Sequence, residues 1–268
     1  MRKFIYSLFF ISLLAALAYP YLKKAALDKI VSAKFASSPK ITKSQSSDTV
    51  KIIKKEKRFE RIGEKIVYTI KLGKVNLGQA VFMSLPPVQL EGREVNLLTF
   101  ETKLVRFRDL EKIYSDRDSF LPLKVERSIS NWPISEQINE YYDQDKFTLT
   151  IVKNNGRKDD PLIIKKDSII HNAIMLPFYV RTRPKLDTGW LMTINLPNQR
   201  FEIKLLGIEN INLPAGDFKA YRFESNPKRF EIWISADERR IPLKIKGSGL
   251  LGYIFVIKEY SISTKSGI

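Results

Sequence analysis

Residues 201–260 carry the clearest strand pattern of the chain, and they read FEIKLLGIENINLPAGDFKAYRFESNPKRFEIWISADERRIPLKIKGSGLLGYIFVIKEY. Apolar side chains in this stretch alternate with charged ones, strand after strand. The apolar positions of each strand share one parity: Phe201, Ile203 and Leu205; Tyr221 and Phe223; Phe230, Ile232 and Ile234; Ile241, Leu243 and Ile245. A period of two is typical of strands with one buried and one solvated face. Because turn-forming residues separate these strands, the pattern predicts an antiparallel meander.

The same alternation extends over the preceding residues and predicts further strands. The predicted strands lie at 66–72, 79–85, 95–105, 121–129, 136–142 and 147–151. Gly73 and Gly78 frame the predicted turn of the first hairpin, and Pro86-Pro87 is predicted to end its second strand because proline cannot donate a ladder hydrogen bond. Residues 106–112 (RFRDLEK) carry many charges and are predicted to be an irregular connection.

Residues 168–181 (SIIHNAIMLPFYVR) break the alternation and predict the helix of the domain. Asp167 is the expected N-cap, and Pro177 is expected to kink or end the helix. Apolar residues cover nearly all of its sides, which suits either a packed core helix or a lid over a ligand. The lid candidates are Ile170, Ile174, Met175 and Phe178.

These patterns together predict a mainly β protein with a large curved antiparallel sheet or half-open β-barrel and one short helix. The β domain is placed at residues 59–263, after an N-terminal hydrophobic helix and a linker. A wide antiparallel sheet tends to curl or close, since an open apolar face would remain in water.

Residues 1–22 form an export segment, because Arg2 and Lys3 precede an uncharged run over residues 4–19. Ala16-Leu17-Ala18 offers a cleavage site for a signal peptide. The run extends to Leu22 and approaches the ~20 residues that span a bilayer, so an uncleaved signal anchor is the other interpretation. Residues 23–58 are predicted to be a basic, mostly disordered linker.

Composition excludes several classes of site. The chain has no cysteine and one histidine, which rules out disulfides, thiol nucleophiles and metal sites with several imidazoles. The net charge is +17, but residues 1–58 hold 13 basic and 3 acidic residues, so much of the excess precedes the β domain. This distribution favours contact with a membrane surface over nucleic-acid binding. No metal, cofactor or nucleic-acid partner is predicted.

Three short motifs in fixed order carry a resemblance to a known family. They are residues 213–222 (LPAGDFKAYR), 233–237 (WISAD) and 239–242 (RRIP). From Phe59 to Tyr260 the chain resembles a bacterial family of exported proteins known as domain of unknown function 3108. The resemblance implies an envelope protein with a mostly antiparallel β fold, and it supplies no catalytic residue.

The residues of these motifs and of the first hairpin have structural interpretations that suffice. Glycine permits a positive φ in a tight turn, and proline stiffens a turn or marks a strand start or edge. Trp233 has the parity opposite to Ile232 and Ile234, so it either packs a second layer or forms a partner surface; packing is favoured. The motif residues are Gly73, Gly78, Pro214, Gly216, Phe218, Trp233 and Pro242.

The sequence favours a non-catalytic protein of the bacterial cell envelope that binds a lipid or other hydrophobic ligand or assists envelope assembly. One alternative is a structural or protein-partner module with a filled core. A second is a carboxylate-dependent hydrolase, which would require two close, buried carboxylates in a cleft. The β domain is expected to face outward from a membrane anchor, or to be periplasmic or secreted if the leader is cleaved. The expected partners are the membrane, through the N-terminal segment, and a lipid or another envelope protein.

Overall fold

The computed structural model of the chain describes residues 61–131, 133–154, 161–183, 185–247 and 252–263. Over these residues the chain forms an antiparallel sheet of fourteen strands and one short helix. The prediction of a mainly β fold with a large antiparallel sheet and one short helix is therefore confirmed. The predicted export segment (1–22) and linker (23–58) lie outside the described residues.

The strands follow one another along the chain, mostly as hairpins. Their bounds are β1 (Glu64–Leu72), β2 (Val75–Leu90), β3 (Arg93–Leu104), β4 (Phe107–Ser115), β5 (Pro122–Asn131), β6 (Ile134–Asp143), β7 (Thr148–Asn154), β8 (Leu162–Lys165), β9 (Leu191–Asn195), β10 (Arg200–Leu213), β11 (Gly216–Asn226), β12 (Phe230–Ser235), β13 (Pro242–Gly247) and β14 (Tyr253–Ile262). Helix α1 (Leu176–Arg181) lies between β8 and β9.

Strand β1 joins the two halves of the sheet. The strand order is β8-β7-β6-β5-β4-β3-β2-β1-β14-β13-β12-β11-β10-β9. In this order β1 pairs with β2 on one side and with β14 on the other, so that Tyr68 faces Ala80 and Ile257. Strands β8 and β9 are the two ends of the order, and the described part of the chain shows no ladder between them.

One face of the sheet, the inner face, carries the core. In β10, Phe201, Ile203 and Leu205 are buried while the residues between them are exposed. Phe100 of β3 and Phe255 of β14 have ring centroids 6.3 Å apart, although two strands separate them in the order. Neighbouring strands are about 4.8 Å apart, so a flat sheet would hold these strands about 14 Å apart. The sheet is therefore curved around its inner face.

The prediction of an irregular connection at residues 106–112 is wrong, because residues 107–112 belong to β4. Asp109 and Glu111 occupy inward positions of this strand, in line with Ile113 and Ser115, and all four are buried. Because buried carboxyl groups take positions where the strand pattern expects apolar residues, the sequence of this strand resembles that of a charged loop.

The prediction that Pro86-Pro87 ends the second strand is also wrong. Strand β2 continues to Leu90, and its pairing with β3 changes register between Leu85 and Val88. A register irregularity is a place where proline is tolerated, since a residue left out of the ladder does not need its amide hydrogen.

The helix prediction at residues 168–181 is correct only for its last part. Helix α1 has six residues, with Pro177 in its first turn and Met175 as its N-cap residue. Proline suits the first helical turn, because the amide hydrogen that it lacks would have no partner there. Pro177 therefore starts the helix instead of ending it, and the predicted N-cap Asp167 lies eight residues too early.

Gly73, Gly78 and Gly216 lie at or next to hairpin turns. Gly73 has φ of 57° in the β1–β2 turn and Gly216 has φ of 124° where β11 begins. Gly78 lies within β2, because this strand begins at Val75 and the turn is shorter than predicted. A Cβ atom on Gly78 would lie 2.1 Å from the carbonyl oxygen of Lys103 in the neighbouring strand. Glycine is needed here for close approach of two backbones.

We expect Gly78→Ala to lower the free energy of unfolding by about 1–3 kcal/mol, because the added methyl group must push strands β2 and β3 apart. The control is Gln79→Ala at the exposed neighbouring position, which should change it by less than about 0.5 kcal/mol. Urea unfolding followed by circular dichroism measures both. Equal stability of the two variants would contradict the close approach.

Candidate functional site

Ionisable side chains interrupt the apolar inner face on three adjacent strands. Asp109 and Glu111 project inward from β4, Arg127 from β5, and Glu140 and Tyr142 from β6. We call these five residues the inner-wall cluster. The strand registers bring them together: Glu111 faces Arg127 across the β4–β5 ladder, and Glu140 faces Val125 across the β5–β6 ladder.

Arg127 pairs with one carboxylate of the cluster through two hydrogen bonds. Its Nε donates to Asp109 Oδ1 at 2.9 Å and its Nη2 donates to Asp109 Oδ2 at 2.5 Å. This two-point geometry is the strong form of an arginine–carboxylate pair. The same Nε lies 3.5 Å from Glu111 Oε1, which is an ion-pair contact and not a hydrogen bond. Within the described residues, the Glu111 carboxyl group thus has no hydrogen-bond partner.

Burial sets the protonation of the two glutamates. Removal from water raises the pKa of Glu111 to about 8, with Arg127 opposing the shift and the nearby carboxyl groups of Asp109 and Glu140 adding to it. Burial also raises the pKa of Glu140, which accepts a hydrogen bond of 2.6 Å from the Tyr142 hydroxyl group. A carboxyl group that cannot hold its charge keeps its proton, so Glu111 is largely neutral at pH 7.

Asn172 connects the cluster to residues 168–181, which we call the bridging segment. Its side chain interacts with the Tyr142 hydroxyl group and opposes the rise of the Tyr142 pKa that burial causes. The backbone nitrogen of Asn172 donates to Tyr179 Oη at 3.2 Å, and Asn172 Oδ1 accepts from Ile174 N at 2.9 Å. Asn172 therefore fixes the turn before α1 and contacts the cluster at the same time.

The bridging segment joins the β6–β7 turn, near one end of the sheet order, to β9 at the other end. Gln144, in the turn after β6, donates from Nε2 to Ile170 O at 2.9 Å and accepts from Ile170 N at 3.0 Å. On the other side, His171 N donates to Asn195 O at 2.7 Å, at the end of β9. The segment thus replaces a strand ladder with a few specific hydrogen bonds.

A buried ion pair anchors the C-terminal end of the bridging segment. Arg181 donates from Nη1 and Nη2 to the two carboxylate oxygens of Glu64, at 2.9 and 2.5 Å. Arg61 adds a third bond of 3.0 Å to Glu64 Oε1. Burial alone would raise the pKa of Glu64, but Arg181 and Arg61 together lower it below its ordinary value. Phe178 stacks on Phe82 of β2 with ring centroids 4.4 Å apart.

His171 is a buried, neutral part of this closure. Its Nδ1 accepts a hydrogen bond of 3.2 Å from Asn195 N, and its ring packs edge-on against Tyr179. Burial lowers the pKa of His171 to about 4. The imidazole can accept this bond only when Nδ1 carries no proton, so protonation would break the contact with β9.

The lid candidates lie in the bridging segment but mostly not in a helix. Ile170, Met175 and Phe178 are buried and Ile174 is partly buried. Ile170 and Ile174 precede the helix, Met175 is its N-cap residue, and Phe178 belongs to it. Their part in ligand binding stays a prediction.

The motif residues lie away from the inner-wall cluster and serve the sheet. Pro214, Gly216 and Phe218 lie at the β10–β11 hairpin, and Pro242 begins β13, where its carbonyl oxygen accepts from Tyr68 Oη at 3.0 Å.

Trp233 is buried on the opposite face from Ile232 and Ile234, which is the packed position that the sequence favoured. Its ring lies 4.4 Å from Lys244 Nζ, and its Nε1 donates to Glu209 Oε1 at 2.5 Å. Charged side chains of the outer face therefore cover this indole ring.

Two further findings limit the chemistry of the described residues. Within them, no group of three or more histidine, aspartate or glutamate side chains is arranged to hold a metal ion. None of their helices is long and apolar enough to cross a bilayer.

Sequence reasoning missed the inner-wall cluster. The available signal was that Asp109, Glu111 and Ile113 are every second residue of one strand and that the next strand carries an arginine. This signal indicates a strand with buried polar residues only when the register of β4 and β5 is known.

The family model described as "Protein of unknown function (DUF3108)" matches residues 66–254. The chain belongs to this family. The DUF3108 match contains the whole inner-wall cluster and the whole bridging segment. No protein with a curated function is similar enough in sequence to count as a relative.

Three solved structures resemble this DUF3108 chain in fold. A β-barrel-like protein of domain of unknown function DUF1849 from Brucella abortus has a TM-score of 0.49 at 7% identity, over 75% of this chain and 98% of its own. A protein described as exported, with a YmcC-like fold, from Bacteroides fragilis has a TM-score of 0.30 at 13% identity, over 75% and 96%. A protein described as a lipoprotein from Parabacteroides distasonis has a TM-score of 0.26 at 11% identity, over 75% and 95%. With TM-scores below 0.5, these likenesses support no conclusion about function.

The lowered pKa of His171 makes stability depend on pH. The folded imidazole stays neutral, whereas the imidazole of the unfolded chain takes up a proton near pH 6.5. The contribution of His171 to the free energy of unfolding is therefore complete above about pH 6.5. It is lost as the pH falls through about 4 and amounts to about 3 kcal/mol. Because the chain has a single histidine, its imidazole NMR signals report the pKa without ambiguity.

We expect His171→Gln to remove this part of the pH dependence in urea unfolding, whereas Lys165→Gln at an exposed neighbouring position should retain it. An NMR pKa at or above about 6.5 would show that the buried contact with Asn195 is absent.

Proposed function

We propose that this protein is a non-catalytic binding protein of the bacterial cell envelope that holds a lipid or another hydrophobic ligand against the inner face of its sheet. The export segment at residues 1–22 supports the envelope location, and the apolar inner face supports the class of ligand. The membrane is its partner through the N-terminal segment, and the β domain faces outward.

The observation that carries the proposal is the closure by the bridging segment. A ligand that reaches the inner face of a curved sheet must displace the segment that covers it, which here is the bridging segment. Here Gln144 and Asn195 hold the bridging segment through five hydrogen bonds, while the buried ion pair of Arg181 with Glu64 acts as a fixed anchor. Movement of residues 168–175 would open the interior without breaking any strand ladder.

A disulfide across the closure tests this proposal. Cysteines at His171 and Asn195 would replace the pair that joins the segment to β9, and the chain has no other cysteine. The full chain is purified from a bacterial envelope fraction, and bound lipid is detected by native mass spectrometry and lipid extraction. We expect a near-stoichiometric acyl lipid whose exchange slows by about tenfold or more after oxidation and recovers after reduction.

The control pair is Thr99→Cys with Lys112→Cys, which locks β3 to β4 on the outer face without touching the bridging segment. Lipid held around the N-terminal segment would exchange at the same rate in both redox states. A protein mass without bound lipid, or lipid exchange that does not change when the 171–195 disulfide forms, would overturn the binding proposal and favour a protein-partner module. The exposed apolar side chains of Leu162 and Ile163 on β8 would then be the first surface to probe.

One observation favours a carboxylate-dependent hydrolase as a second candidate. Glu111 has a pKa of about 8 and lies two residues from Asp109 on one face of β4, as an acid and a carboxylate partner could. Against it, both oxygens of Asp109 are taken by Arg127, and Glu140 lies two strands from Glu111. Hydrolysis of 4-nitrophenyl esters or glycosides that disappears in Glu111→Gln and persists in Glu238→Gln would establish the hydrolase.

A further inference from the structure

The inner-wall cluster holds more carboxyl groups than cations. Asp109, Glu111 and Glu140 face a single guanidinium, that of Arg127, among the described residues of this wall. The nearest further pair on the same face is Glu136 with Lys153, whose atoms are 3.1 Å apart and satisfy each other's charge. Arg127 gives two hydrogen bonds to Asp109, and Glu140 accepts one from Tyr142, so one carboxyl group of the cluster is left with an ion-pair contact and no hydrogen bond.

Glu111 is that group. It is 6% exposed, and the Arg127 Nε that approaches it to 3.5 Å directs its hydrogen to Asp109 instead. A second buried acceptor lies on the same face of the same strand. The Ser115 hydroxyl group is fully buried and has no hydrogen-bond partner among the described residues. Buried polar groups without partners are uncommon, because each has lost its hydrogen bonds to water without replacement.

We propose that the inner-wall cluster binds the positively charged group of an amphiphilic ligand, such as a primary ammonium, with Glu111 as its counter-ion. This inference rests on the proposed binding function and names the chemistry of its ligand. An ammonium supplies three hydrogen-bond donors, and its charge would stabilise the ionised form of Glu111. An anionic head group would instead meet three carboxyl groups and a single guanidinium that is already paired with Asp109.

The surroundings of Glu111 suit the apolar part of such a ligand. Phe100 of β3 is its register partner on one side, and Ile113, Val125 and Ile138 line the adjacent positions of the inner face. An alkyl chain attached to the charged group would thus lie against aliphatic and aromatic side chains, which favour its removal from water.

Binding of a cation has a consequence for protons. Glu111 must ionise when the ammonium arrives, so each binding event releases a proton at pH values below about 8. The affinity for an ammonium should therefore rise between about pH 6 and pH 8, while a neutral ligand should bind equally well across this range. The other charged groups that face Glu111 are Asp109, Arg127 and Glu140, with the Glu136–Lys153 pair beyond them.

Three ligands with one chain length separate the head groups. Dodecylamine, dodecanol and dodecanoic acid compete, below their aggregation concentrations, for the full-length protein loaded with the neutral fluorophore 1,6-diphenylhexatriene. At about pH 8 we expect dodecylammonium to compete about tenfold better than dodecanoate. The net charge of +17 would by itself favour dodecanoate, so non-specific attraction works against the expected result.

Glu111→Gln should weaken dodecylammonium about tenfold and leave dodecanol unchanged, since the amide keeps the shape of the site without its charge. Glu238→Gln, at an exposed turn, is the matched control and should change neither ligand. In the unaltered protein, competition by dodecylammonium should strengthen from about pH 6 to pH 8, which tests the inference even if the variant folds poorly.

The outcomes separate the two proposals. Equal competition by all three ligands, a preference for dodecanoate, or an affinity for dodecylammonium that ignores pH would overturn the cationic ligand and leave the binding function intact. Failure of all three to displace the fluorophore would overturn the binding function and, with it, the inference about its ligand.

Discussion

An antiparallel sheet with one apolar face must keep that face from water, and the rest of this structure depends on how that is achieved. Curvature brings distant strands such as β3 and β14 together, but β8 has four residues and β9 has five, and the described chain forms no ladder between them. The bridging segment completes the enclosure instead. Its buried ion pair between Arg181 and Glu64 would cost about 3–5 kcal/mol if one partner were removed, because the other charge would be left buried and alone.

The bridging segment and the inner-wall cluster are connected through Tyr142 and Asn172. Glu140 accepts from Tyr142, and Tyr142 contacts Asn172, whose backbone and side chain shape the turn before α1. A change of charge on Glu140 therefore alters the bond that holds Tyr142, and through it the position of Asn172. A ligand bound at the cluster, as proposed above, would contact the residues that position the bridging segment. Ligand binding would therefore be coupled to the position of that segment.

The sequence predicts those parts of the fold whose signal is local. Phe201, Ile203 and Leu205 alternate cleanly with charged neighbours, and β10 lies where the pattern predicts it. The sequence does not predict strand β4, because Asp109 and Glu111 fill its inward positions. Their burial depends on Arg127 of the next strand, so the residues of β4 alone do not indicate it. The helix is predicted too long because the apolar residues before Pro177 have helical spacing. In the structure, hydrogen bonds of Ile170 with Gln144 and of His171 with Asn195 hold these residues outside a helix. The family resemblance, in contrast, is confirmed, because its motifs are short contiguous segments that can be recognised without knowledge of the tertiary structure.

A purely structural role for the inner-wall cluster conflicts with its own geometry. Interior charges are tolerated when every group has a partner, and apolar residues of similar volume commonly give equal or greater stability. Asp109 and Arg127 meet that condition, but Glu111 keeps a proton without donating it to any acceptor in the described chain, and Ser115 has no partner at all. A filled, inert core would gain stability from apolar residues at these positions. The proposed ammonium ligand would give a physical reason for Glu111 to lack a hydrogen bond within the protein, because the ligand would then supply it.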